Sequence, residues 1–175
     1  PLTTYLEENL TLIANYNMQY LSNIVVKDNS GTFGLEPTYV ETVAPNSSLV
    51  TFSSFANQWM DLGTWTLNRV IWQGNNVASI ESPSTRLSAD LEWIVKCRVY
   101  LVGFTESFKD NAGQTLPITP SNFRLQFPNG TLSDSLNPSR QYYIQNGTIK
   151  WNSIVWQSCE VAPDDAWFDP ANGNP

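Results

Sequence analysis

Apolar and polar residues alternate along much of the 175-residue chain, in short runs separated by clusters of Gly, Asn, Asp, Ser and Pro. FRLQF at 123–127 alternates residue by residue, and WIVKCRVYLVGF at 93–104 is a β-branched and aromatic run. TIKWNSIVW at 148–156 reads as a third extended segment, and NIVV at 23–26, LVTFSSF at 49–55 and WTLNRVIW at 65–72 have the same character. Such runs predict half-buried β-strands, and the words between them (DNSG, APNSS, QGNN, DNAG, FPNG, QNGT) predict tight turns. Helical periodicity is confined to the start, where Thr4-Tyr-Leu-Glu7 fits a capping box with Leu6, Leu10 and Ile13 on one face. The same region, as ENLTLIANY, also fits an edge strand.

The strand pattern occurs twice. VIWQGNNVAS at 70–79 returns as IVWQSCEVAP at 154–163, an offset of 84 (Trp156 against Trp72). KDNSG at 27–31 returns as KDNAG at 109–113, an offset of 82, and PTYVETVAPNSSL at 37–49 as PSNFRLQFPNGTL at 120–132, an offset of 83. Gly63-Thr64 and Asn68 return as Gly147-Thr148 and Asn152. The matches keep their order while the offset drifts by single residues, which points to an internal duplication with loops absorbing the length changes.

Many short strands in units of about 80 residues predict an all-β chain of two tandem immunoglobulin-like Greek-key β-sandwich domains. The expected boundaries are an N-terminal extension at 1–14, a first repeat at 15–82, a linker at 83–90 around Pro83 and its serines, a second repeat at 91–163, and an acidic tail at 164–175. Trp72 and Trp156 are expected to cover the core beside tight hairpins, with Val77 and Val161 as neighbouring core positions.

A D-x-x-G turn, a P-N-G-T turn, a G-T leading into the penultimate strand and a closing V-x-W-Q-G-x-x-V hairpin resemble the immunoglobulin-like or prealbumin-like repeats of prokaryotic, especially archaeal, cell-surface proteins. The resemblance covers roughly residues 15–165 and rests on turn and core features common to many β-sandwiches. It implies extracellular tandem modules of surface layers, filaments, sheaths or adhesins, with no shared active site.

Charged residues are only 14% of the chain, below the roughly 25% of an average soluble protein, so Asn, Ser, Thr and Gln must dress the surface. A net charge of −7 with nine Lys plus Arg argues against a nucleic-acid partner, which requires a basic patch. No run reaches the roughly 18–20 apolar residues of a membrane span. The start at Pro1 reads as a processed or trimmed product. Sequons stand at Asn9, Asn46, Asn129 and Asn146, and Asn46 and Asn129 hold equivalent turn positions, as glycosylation sites outside the cell would. Cys97 and Cys159, 62 residues apart (159 minus 97), are expected to bridge the first and last strands of the second repeat. Such a bridge would contribute about 3–4 kcal/mol by loop-closure entropy. The alternative is two unpaired thiols.

No residue set points to catalysis. The sequence has no His and no GxSxG, P-loop or GxGxxG, so no catalytic residue, metal site or cofactor is expected. Asp28-Asn29 and Asp110-Asn111, each followed two residues later by Gly, read as turns whose neighbours Lys27 and Lys109 repel a cation; Glu160, Asp164, Asp165 and Asp169 are the alternative calcium ligands. Trp59, Trp93, Trp151 and Trp167 are candidates for stacking on sugar rings. The sequence reading is a non-enzymatic structural subunit of a cell-surface filament, sheath or surface layer. It would self-associate with identical subunits by terminal strand exchange, with Leu6, Leu10, Leu12 and Ile13 as inserted side chains. The alternative is an adhesin or carbohydrate-binding module with glycans as partners.

Overall fold

The computed structural model describes residues 17–79, 83–104, 108–110, 112–114, 116–161 and 167–171. Within these residues the protein is all β, without a helix. The helix-or-strand alternative at the start, with Leu6, Leu10, Leu12 and Ile13, lies outside the described residues, as do Asn9, Asp164 and Asp165.

Eight strands build the first half: β1 (Gln19–Lys27), β2 (Tyr39–Val43), β3 (Leu49–Phe52), β4 (Gln58–Asp61), β5 (Gly63–Trp72), β6 (Asn75–Asn76), β7 (Ser84–Leu87) and β8 (Leu91–Lys96). They form two sheets, ordered β4-β1-β8 and β3-β2-β5, with β6 and β7 both pairing β5. Each strand turns its alternate apolar residues to one face. Ile24 and Val26, Met60, and Trp93 and Val95 from the first sheet are buried in one core with Val40, Phe52, Trp65, Leu67, Val70 and Leu87 from the second. Two sheets enclosing one core is the arrangement of a β-sandwich. β1 and β4 are antiparallel, but β8 runs parallel to β1 in the register Asn23 with Glu92 through Lys27 with Lys96.

The second half comprises β9 (Val99–Gly103), β10 (Asn122–Gln126), β11 (Gln141–Gln145), β12 (Ile149–Trp156), β13 (Cys159–Val161) and β14 (Trp167–Phe168). β9 pairs β11, and β12 carries β10 on one edge and β13 and β14 on the other. Its core is aromatic: Phe104 lies 4.8 Å from Phe123, 5.6 Å from Trp151 and 5.6 Å from Phe168, centroid to centroid. Phe108, Leu125, Ile144 and Ile149 complete it.

Local geometry recurs where the sequence recurs. The hairpins after Trp72 and Trp156 have two-residue loops with both residues at positive φ: Gln73 at 47° and Gly74 at 78°, Gln157 at 48° and Ser158 at 65°. Such primed turns match the strand twist. They close sooner than QGNN had predicted, so Asn75 and Asn76 already belong to β6. A register shift leaves Asn68 unpaired between Leu67 and Arg69 opposite β2, and another leaves Asn152 unpaired opposite β10. Each is a bulge that reverses the in–out parity, and in β5 it brings Val70 into the core after Trp65 and Leu67.

Three expectations differ from what the structure holds. Residues 83–90, expected as a linker, contain β7, whose Thr85 and Ser84 pair Trp65 and Thr66 of β5 and whose Leu87 is buried. The segment beginning at 91, expected to open the second unit, places Trp93, Val95 and Cys97 in the first core. Val161, expected in the core, is exposed in β13, whereas its counterpart Val77 is fully buried. Serines and a proline signal a linker only when their backbone lacks a partner, and here the edge of β5 supplies one.

Gly63 tests the turn that joins β4 to β5. Its φ is 133°, and an added Cβ would meet Pro45 Cβ and Cγ at 2.7 Å. Gly63→Ala is expected to lower stability by about 1–3 kcal/mol in urea denaturation. Gly34→Ala, with open space around its Cβ, is expected to stay within about 0.5 kcal/mol.

Candidate functional site

The turn after β1 is organised by Asp28, which is buried. Its Oδ1 accepts from the N–H groups of Thr32 and Phe33 at 2.9 Å each, and its Oδ2 from the Ser30 hydroxyl at 2.6 Å. Burial pushes the carboxyl up, but the bonds from Ser30, Phe33 and Thr32 outweigh it and hold the group below its ordinary 3.8. The counterpart Asp110 accepts from the N–H groups of Ala112 and Gln114, both at 2.9 Å. Gly31 and Gly113 take φ of 81° and 77°. Both carboxylates are therefore occupied with their own turns. Among the described residues no three acidic or cysteine side chains gather where they could hold a metal ion. Asp169, one of the alternative calcium ligands, accepts from the Ala171 N–H at 3.0 Å.

Asn46 and Asn129 sit exposed in matching turns. Asn46 Oδ1 accepts from the N–H and hydroxyl of Ser48, and Asn129 Oδ1 from those of Thr131. The oxygen thus anchors the turn and the amide nitrogen, the atom that would bear a glycan, is left out of those bonds. Asn146 is half-buried, its N–H donating to Arg98 C=O at 2.9 Å.

Cys97 and Cys159 are both free thiols. Cys97 belongs to the first core, 1% exposed, and Cys159 lies exposed in β13 of the second half. The expected bridge is therefore not formed: the run containing Cys97 completes the first sandwich, not the second. Burial pushes the Cys97 thiol up to about 12, against a smaller opposing pull from Arg98.

Of the candidate stacking tryptophans, Trp93 is buried and Trp151 packs against Phe104, Phe108 and Phe123. Trp59 on β4 is 66% exposed and Trp167 52%. Trp156 is half-buried, with its indole N–H donating to Ile118 C=O at 3.0 Å.

The halves meet at a junction that no sequence motif marked. Arg98 donates from its N–H to Val77 C=O and from Nε to Ala78 C=O, and its own C=O accepts from Asn146. Phe33 of the first half stacks on Tyr143 of the second, with centroids 4.0 Å apart and planes at 14°. Beside it a groove of about 300 Å³ is lined by Gln73, Phe127, Leu132, Asp134, Tyr142 and others. Among the described residues that line it, Asp134 is the one carboxylate. The signal that could have revealed this junction is the in–out alternation that continues through Lys96-Cys97-Arg98 without a turn residue.

Compared with known proteins, the chain matches no family model and shows no significant similarity to a curated protein. Among the described residues, no helix is long and apolar enough to cross a membrane.

Two outcomes follow from these environments. A thiol reagent at pH 8 is expected to label one cysteine, Cys159, in the native protein and both in denaturant without reductant; no reactive thiol in denaturant would mean a bridge between the two. Asp28 stabilises the fold above its unfolded value near 3.8, and that contribution is lost as pH falls through its lower folded value. Asp28→Asn is therefore expected to be less stable than the parent at pH 6, with the gap closing below about pH 4. A gap that stays constant with pH, measured by urea denaturation, would assign the effect to something other than the charge.

Proposed function

We propose that this chain is an extracellular, non-enzymatic structural subunit that self-associates into a cell-surface filament, sheath or surface layer through exchange of terminal strands. The two halves are read as copies of one immunoglobulin-like unit, supported by the matched hairpins, bulges and Asp-anchored turns. The observation that carries the assembly is internal to the chain. β8 directly precedes the second half yet completes the sheet of the first. A unit whose leading strand completes its neighbour is a unit built to be chained. The charge-poor composition and the exposed turn sequons at Asn46 and Asn129 favour an extracellular, glycan-bearing surface.

A second reading, an adhesin or carbohydrate-binding module, is favoured by Trp59, which stands exposed on the outer face of β4 opposite Leu21. Aromatic faces on a sheet suit stacking against a sugar ring.

One experiment separates the two. Untagged protein is followed by light scattering and negative-stain microscopy across a concentration series. Regular polymers that disappear on deleting residues 1–14 are expected. A deletion variant that still assembles removes strand exchange as the mechanism. A chain that stays monomeric throughout, with tryptophan fluorescence responding to members of a glycan panel, selects the second reading.

A further inference from the structure

β9 repeats the setting of β1 residue by residue. Tyr20 faces Met60 on β4, and Tyr100 faces Ile144 on β11; Leu21 faces Trp59, and Leu101 faces Tyr143. Four residues after each tyrosine comes a core side chain, Ile24 or Phe104. The strands differ on their other edge. β1 has β8 there, whereas β9 has no strand there among the described residues.

That edge is hydrogen-bonding backbone. Val99 C=O accepts from Asn29 N–H at 2.9 Å, so it points away from β11. With the two-residue period of an antiparallel strand, Leu101 and Gly103 also present their N–H and C=O groups to that side. In the first half the corresponding positions are taken up: Leu21 N–H donates to Asp90 Oδ1 at 2.9 Å, and Asn23 pairs Glu92. Strand edges with no partner strand among the described residues are of the kind that recruits strands.

The sequence contains a second copy of the strand that fits. L-E-W-I-V-K at 91–96 stands just before β9, and L-T-L-I-A-N at 10–15 stands just before β1. Leu10 and Ile13 repeat Leu91 and Ile94, and the alternation puts Leu10, Leu12 and Ala14 on one face as it puts Leu91, Trp93 and Val95. Asn9 falls at the place of Asp90 and carries an amide oxygen that can accept from Leu101 N–H.

Side-chain sizes around the two edges differ in a way that suits this exchange. The first core offers Ile24, Val26, Val40 and Leu67 and receives the large Trp93. At the corresponding places the second core offers Phe104, Phe108, Phe123 and Trp151, larger at each of these four places. Leu12 and Ala14 are smaller than Trp93 and Val95 by about the right sense: large acceptors go with a small donor.

We propose that residues 10–15 of one copy of this chain add as a parallel strand to the edge of β9 opposite β11 in a second copy, with Leu10, Leu12 and Ala14 facing the Phe104 core. This deepens the strand-exchange reading above and rests on it. The contact is heterologous, because donor and acceptor are different surfaces, and it propagates head to tail. Ile13, by the parity of Ile94, faces outward.

The test uses the full chain with Cys159→Ser to remove the exposed thiol. Gly103→Cys is combined in turn with Leu10→Cys, Thr11→Cys and Leu12→Cys under mild oxidation. A Cβ at Gly103 meets only the Gln141 side chain, at 3.6 Å, so the site accepts a side chain. By the pairing of Asn23 with Glu92, the Thr11→Cys pair is expected to cross-link most, giving a ladder of multimers on a non-reducing gel. A synthetic peptide of residues 6–17, added to the parent chain, is expected to shorten its polymers, which tests the contact without any substitution. A fast-migrating cross-linked monomer would overturn the proposal, since the segment then folds onto its own chain. Polymers with no cross-link at any of the three positions and no effect of the peptide would also overturn it, while leaving the structural function standing. A chain that never polymerises would overturn that function as well.

Discussion

One continuous extended run passes from one core into the other, and the rest of the molecule depends on it. β8 ends at Lys96 and β9 begins at Val99, with only Cys97 and Arg98 between them. Trp93, Val95 and Cys97 are buried in the first core, and Phe104, five residues beyond Val99, anchors the second. Each large buried side chain contributes about 1.5–3 kcal/mol of transfer free energy, so neither half can release this run without opening its own core. The backbone at the crossing is held as tightly: Cys97 N–H donates to Lys27 C=O, Arg98 N–H to Val77 C=O, and Asn146 N–H to Arg98 C=O. A two-residue crossing with every one of these groups bonded is a splice rather than a tether. The stacked Phe33 and Tyr143 rings fix the same junction from the side.

The parallel sense of β8 follows from this splice. In an otherwise antiparallel sandwich, a strand entering beside β1 from the end of β7 has to cross from one sheet to the other before it can pair. Residues 88–90 make that crossing, and Asp90 closes it by accepting from Leu21 N–H. β8 then runs out of the first sandwich in the direction in which β9 starts. An antiparallel β8 would have returned the chain to the wrong end of the first half. The direction of one strand thus sets how one unit follows the next.

What the sequence made legible was local. The turns at Asp28 and Asp110, the hairpins at Gln73 and Gln157 and the bulged Asn68 and Asn152 are each fixed by a few adjacent residues. Positive φ favours Gly, Asn or a small polar residue there, and an Asp side chain bonds N–H groups two to five residues on. Strand identity was legible for the same reason, through alternation. Ownership of a strand was not. Nothing within LEWIVK states whether Trp93 packs on Val40 or on Phe123, because that choice depends on pairing partners some 70 residues away. The expected Cys97–Cys159 bridge failed on this point alone. Ser84–Leu87 does not look like a strand in the sequence, because its apolar content is a single leucine and its hold on β5 is through the backbone.

The strand that fills β1 inside the chain and the strand proposed to fill β9 between chains obey the same geometry but not the same thermodynamics. β8 is delivered by its own polypeptide, so its pairing meets only the modest entropy of closing the turn at 88–90. A segment arriving from another copy has no such tether and must also offset lost translational and rotational freedom. Its inward side chains, Leu10, Leu12 and Ala14, bury less apolar area than Leu91, Trp93 and Val95. The backbone bonds to Leu101 and Gly103 therefore carry a larger share of the contact than they do in the first half, and such bonds are strong only where water is excluded. The aromatic wall of Phe104, Phe108, Phe123 and Trp151 provides that exclusion.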